Sequence, residues 1–114
     1  MKLLTKEIEE KLRANARNPQ CGGEGWDPKP VVKFFNPTGS GTWLITELHD
    51  DGAMYGLCDV GQGEVERGYV SLAELAEFRD RRFGLGIERD LWFAPKMTIS
   101  QYEEVAQRER RIVA

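Results

Sequence analysis

The sequence predicts an α+β fold: an antiparallel meander of four to five strands with about three helices packed on it. Four short apolar segments between residues 31 and 70 are separated by brief turns rich in Gly, Asn and Asp, the pattern of consecutive hairpins. Helical signals flank this block on both sides, an apolar stripe before it and two capping-box sequences after it. The strands also carry apolar groups on both faces, Trp43 and Ile45 opposing Leu44 and Leu48, so the sheet needs cover on one side and on part of the other.

The first helix opens at Leu4-Thr5-Lys6-Glu7-Ile8, where Thr5 can cap it and Leu4, Ile8 and Leu12 form one narrow stripe. Residues 18–29, with Pro19, Gly22, Gly23, Gly25 and Pro28, read as a long loop. Trp26 within it is a core anchor or a partner contact. Val31–Phe35, fenced by Pro30 and Pro37, is the first strand, and Asn36–Gly41 turns into the second, Thr42–Leu48. Asp50-Asp51-Gly52 supplies the next tight turn, Met54–Val60 the third strand, Gly61-Gln62-Gly63 a third turn and Glu64–Val70 the fourth strand.

Ser71-Leu72-Ala73-Glu74 is a capping box with Val70 and Leu75 as its hydrophobic staple, and it starts a helix that Gly84 and Gly86 would end. Leu91-Trp92-Phe93 before Pro95 reads as a short edge strand. Thr98-Ile99-Ser100-Gln101 is the second box, opening a last helix with Tyr102, Val105, Ala106 and Ile112 along one side, and residues 108–114 form a basic tail.

With 114 residues, 40% hydrophobic and 31% charged, the chain reads as a single domain spanning 1–114, one that buries roughly two-thirds of its extended surface. It contains no apolar run of membrane-spanning length, and its charged start is unlike a secretory leader. The two cysteines, Cys21 and Cys58, are far apart, which predicts free thiols and a cytoplasmic setting. A net charge of −3 argues against nonspecific nucleic-acid binding.

Several stretches resemble a known family. They are Met1–Thr5, Val31–Pro37, Thr42-Trp43, Thr46-Glu47, Tyr55–Asp59, Gly68–Leu75 and Gly84–Phe93. In that order they closely resemble the family catalogued as domain of unknown function twenty-nine fifty-eight. The resemblance implies a small domain carried by mobile genetic elements such as conjugative plasmids, integrative elements and phages. It brings no catalytic residues with it.

Constellations for chemistry are sparse. His49, the only histidine, lies in the turn His49-Asp50-Asp51-Gly52 and reads as a solvated residue. Glu88-Arg89-Asp90 reads as a tie for its loop through ion pairs and backbone capping, Arg89 pairing with a carboxylate on the sheet. Gly39-Ser40-Gly41 and Gly61-Gln62-Gly63 lie between strands, so they are turns and not phosphate cradles. No metal site and no cofactor is expected, and the chain reads as a non-enzyme.

Charge distribution says more. From Thr42 to Glu66 the charged residues are Glu47, Asp50, Asp51, Asp59, Glu64 and Glu66, without a Lys or Arg among them. With Trp26 they form a candidate partner-binding set for a basic protein surface, where complementary charge would speed encounter and fix orientation. The functional expectation is therefore a non-catalytic protein-binding accessory of a mobile element, an inhibitor of a host defence system such as CRISPR or restriction. The alternative is a single-stranded nucleic-acid-binding accessory of conjugative transfer. It would use Arg81, Arg82, Arg108, Arg110 and Arg111 for phosphates and stack bases on Phe34, Trp43 and Tyr55, rings that core packing explains better.

Overall fold

The structure is a computed structural model and describes residues 2–114. Helix α1 (Lys6–Arg17) is followed by strands β1 (Val32–Phe35), β2 (Thr42–Leu48), β3 (Ala53–Asp59) and β4 (Val65–Ser71). Helix α2 (Leu72–Glu77), strand β5 (Glu88–Arg89) and helix α3 (Ile99–Glu109) complete the order. All strands join one antiparallel sheet in the order β4-β3-β2-β1-β5, so the predicted α+β meander is what forms. No helix among the described residues is long and apolar enough to cross a membrane.

Each element begins where local chemistry starts it. The Thr5 hydroxyl accepts from the Ile8 N–H at 3.1 Å, and the Ser71 hydroxyl accepts from the Glu74 N–H at 3.2 Å. At α3 the Gln101 side chain reaches back to the Thr98 N–H at 2.9 Å. The sheet separates two cores. Leu12 of α1 and Leu75 of α2 pack with Val32, Phe34, Ile45 and Met54 on one face. Ile99, Tyr102 and Ala106 of α3 pack with Leu44, Leu57 and Val65 on the other.

Four expectations need correction. Leu48 does not share a face with Leu44. The register shifts between Ile45 and Glu47, where β2 holds one residue more than β3, so Leu48 joins Trp43 and Ile45 in the α1 core. Helix α2 ends at Glu77, well before Gly84: the backbone leaves the helical region at Phe78, whose ring stays exposed instead of continuing the face of Leu75. The last sheet strand is Glu88–Arg89, paired with Phe35 and Phe34, and not Leu91–Phe93. Beyond it the Asp90 N–H still donates to the Lys33 carbonyl, and the Asp90 carboxylate then accepts from the Trp92 N–H at 2.9 Å as the chain turns. Ile112 lies beyond α3, after Arg110 adopts the left-handed conformation at φ 61°, yet it is buried in the α3 core.

Candidate functional site

The bulge in β2 builds the most distinctive polar site of the molecule. In an unbroken strand Glu47 would share a face with Trp43 and Ile45, in the α1 core. The extra residue turns it to the opposite face and leaves Leu48 to the core. Across the sheet Glu47 pairs with Tyr55, which pairs with Tyr69, so one row carries a carboxyl group and two phenols. The two rings meet edge to face at 5.0 Å, and Tyr69 lies 5.9 Å from the His49 ring. His49, two residues after Glu47, faces the same side.

The loop 18–29 closes over this row. It is a chain of turns: the Gln20 N–H donates to Asn18 Oδ1, Cys21 N–H to the Asn18 carbonyl, and Trp26 N–H to the Gly23 carbonyl. Glu47 is only 3% exposed, and the loop holds it directly. Cys21 Sγ–H and Trp26 Nε1–H both donate to Glu47 Oε1 at 3.1 Å, while the Thr46 hydroxyl meets Oε2. No Lys, Arg or His nitrogen among the described residues lies within 4.0 Å of this carboxyl group. Arg67 lines the same cavity of about 360 Å³, but its guanidinium pairs with Glu103 at 2.9 Å. Burial, with the Glu47 hydrogen bond and charge behind it, pushes the Cys21 thiol up to about 11. A thiol so held is a poor nucleophile near neutrality.

Nothing in the sequence links Cys21 to His49, and no metal site is expected from it. The fold gathers Cys21, Glu47 and His49 so that one ligand atom from each lies within 4.8 Å of the others. In the sequence, the Glu47–His49 spacing of two residues at a strand end is the one sign that two of these ligands share a face.

The six carboxylates do not form one surface. Glu47 and Asp59 are buried, and Asp59 accepts from the Gly61 and Ile112 N–H groups at 2.8 and 3.0 Å. Asp50 and Asp51 are exposed at the β2–β3 turn, where Asp50 lies 3.7 Å from Arg13 and 3.3 Å from Arg17. Glu64 and Glu66 are exposed at the opposite end of the β3–β4 hairpin. Trp26 is half-buried against Glu47. Of the rings named for base stacking, Phe34 and Trp43 are buried in the α1 core.

Arg81, Arg82, Arg108, Arg110 and Arg111 are exposed. Arg82 stacks over Phe83 at 5.5 Å, and Arg110 donates to the Gly63 carbonyl at 3.3 Å. The tie expected at Glu88-Arg89-Asp90 is present with a different partner for Arg89. Its guanidinium donates to the Lys2 and Leu3 carbonyls at 2.8 Å, and Asp90 lies 3.5 Å from Lys33.

The largest exposed ring is Trp92, 91% accessible and next to exposed Leu91. It flanks a groove of about 420 Å³ whose lining includes Phe93, Met97, Tyr102 and Val113, with Lys96 at its edge. Set against known proteins, residues 3–113 match the model of a family described as protein of unknown function (DUF2958). No curated protein and no solved structure matches the chain.

Proposed function

The chain belongs to the DUF2958 family of proteins of unknown function, and from that premise we propose that it is a non-catalytic protein-binding accessory of a mobile genetic element. The exposure of Trp92 carries the reading. Covering a large apolar side chain is worth on the order of 2–3 kcal/mol, and tryptophans set beside apolar grooves are the side chains that most often dominate protein interfaces. Beside it the Phe93–Met97–Tyr102–Val113 groove can take an apolar side chain of a partner. Lys96 lines the same groove with no carboxylate within 4.0 Å among the described residues, while Asp90, the groove's own acid, is paired with Lys33 at 3.5 Å, so an acidic group of a partner would complement Lys96.

The partner is thus a protein presenting an apolar anchor beside an acid. In the mobile-element setting that the resemblance implies, this is a host protein, with a component of a defence system the first to test. A basic partner surface has less support, because the carboxylates that suggested it are divided between the core and two ends of the sheet. Nucleic-acid stacking has less support still, since Phe34 and Trp43 are inside.

The test places a photo-crosslinking residue at position 92 in host cells and identifies what it captures. The captured protein is then purified and titrated against wild type and Trp92→Ala. One recurrent host partner, with affinity reduced at least about tenfold by Trp92→Ala, is the expected result. Capture of a second copy of this chain, scattered capture, or affinity indifferent to Trp92→Ala overturns the proposal. Tight binding of short oligonucleotides at low salt by the wild type would favour the nucleic-acid reading instead.

A further inference from the structure

We infer that Cys21, Glu47 and His49 form a zinc site that fastens the 18–29 loop to the sheet. The donor set is a thiol, a carboxylate and an imidazole, all of them zinc ligands; three such ligands leave the fourth tetrahedral position to water, where closed structural sites carry a fourth protein ligand. Distances suit it. The three ligand atoms lie within 4.8 Å of one another, and Sγ is already 3.1 Å from Oε1. Tetrahedral bonds of about 2.0–2.3 Å put ligand atoms roughly 3.3–3.8 Å apart, so the His49 side chain has to close by about an ångström. His49 is half-buried where β2 gives way to the turn, its ring 5.9 Å from Tyr69, so the shift is one of its side chain alone.

A second observation points to a cation independently. Glu47 is buried, accepts hydrogen bonds only from neutral donors and has no Lys, Arg or His nitrogen within 4.0 Å among the described residues, the Arg67 guanidinium of the same cavity being paired with Glu103. A buried carboxylate without a countercharge is costly, and a divalent ion among these atoms removes the cost. The outer contacts are also in place. Trp26 Nε1–H and the Thr46 hydroxyl fix the Glu47 carboxylate, as orienting groups do around bound metals, and Tyr69 flanks the imidazole. On binding, the Cys21 thiol gives its proton to solvent and the thiolate takes the metal. The bulge at Thr46 then has a consequence beyond packing, because it brings Glu47 and His49 to the loop that supplies Cys21.

The experiment loads the purified full chain with Zn²⁺ in competition with a chromogenic chelator, and separately with Co²⁺ as a spectroscopic substitute. The wild type is expected to bind one equivalent and to show thiolate-to-cobalt charge transfer with the visible bands of a tetrahedral ion. Cys21→Ser, Glu47→Gln and His49→Ala should each weaken zinc by at least about 100-fold, beyond the usual 10–100-fold effect of outer contacts. Cys58→Ser should leave affinity and spectrum unchanged. Folding of each variant is checked by circular dichroism, and the cobalt spectrum of the wild type needs no variant at all. Absence of that charge-transfer band, less than one equivalent of bound zinc, or zinc affinity indifferent to Cys21→Ser overturns the inference.

Discussion

Asp27 belongs to the loop before β1, yet its carboxylate serves a helix 73 residues further along the chain. Its Oδ1 accepts from the Ser100 N–H at 2.9 Å, and its Oδ2 from the Ser100 hydroxyl, so it caps the first turn of α3 from outside. Burial alone pushes this carboxyl group up and is the largest single influence. The bonds from Ser100 and Thr98, together with the charge of Arg67, outweigh it, and the pKa lies below the ordinary value. A lowered pKa contributes stability that is present above the unfolded value of about 3.9 and is lost as pH falls through the folded one. Asp27→Asn should therefore cost about 1 kcal/mol at neutral pH, the usual worth of a cap. The deficit should shrink on acidification below about pH 4, because the wild type loses there what the variant never had. Urea melts of both proteins at pH 7 and pH 3 check this, and an equal gap at the two values would contradict it.

At the scale of elements, the β2 bulge depends on a residue across from it. Gly56 pairs with Ile45, and a Cβ placed there would lie 2.0 Å from the Leu44 carbonyl oxygen and 2.8 Å from the Ile45 Cα. Both are backbone atoms, so the strand itself has to move. Gly56→Ala should destabilise at or above the upper end of the roughly 1–3 kcal/mol range for overpacking, and should disturb Glu47 more than the distant Lys33–Asp90 pair. Denaturation together with NMR shifts of the Trp26 indole N–H reads both effects.

This strand also marks where legibility ends. Turn residues such as Asp50-Asp51-Gly52 and the hydroxyls of Thr5 and Ser71 act locally, so the positions of β1 to β4 and the helix starts are legible in the sequence, while the two-residue β5 is not. Nothing in Ile45-Thr46-Glu47 announces an extra residue, since a bulge depends on its partner strand. Neither Cys21 nor His49 carries a local sign that loop and strand end will meet.

For the molecule as a whole, a sheet covered on both faces makes its C-terminal segment structural as well as basic. Arg108, Arg110 and Arg111 are exposed, but Ile112 between them and the last residues is only 8% accessible and completes the α3 core. Its N–H also satisfies Asp59 Oδ2, a carboxylate buried at the end of β3. Two costs therefore coincide when the segment is removed. Deleting a buried Ile side chain costs roughly 2–5 kcal/mol, and an unsatisfied buried acceptor adds roughly 1–3 kcal/mol. Truncation after Glu109 should lower stability by at least about 3 kcal/mol. Replacing Arg108 and Arg111 together with Gln should change it by less than about 0.5 kcal/mol, as is usual for exposed side chains. Guanidinium unfolding midpoints of the three proteins separate a segment that closes the core from one that only displays charge. If the truncated chain unfolded at the midpoint of the wild type, neither Ile112 nor any other residue after Glu109 would be holding this edge of the fold.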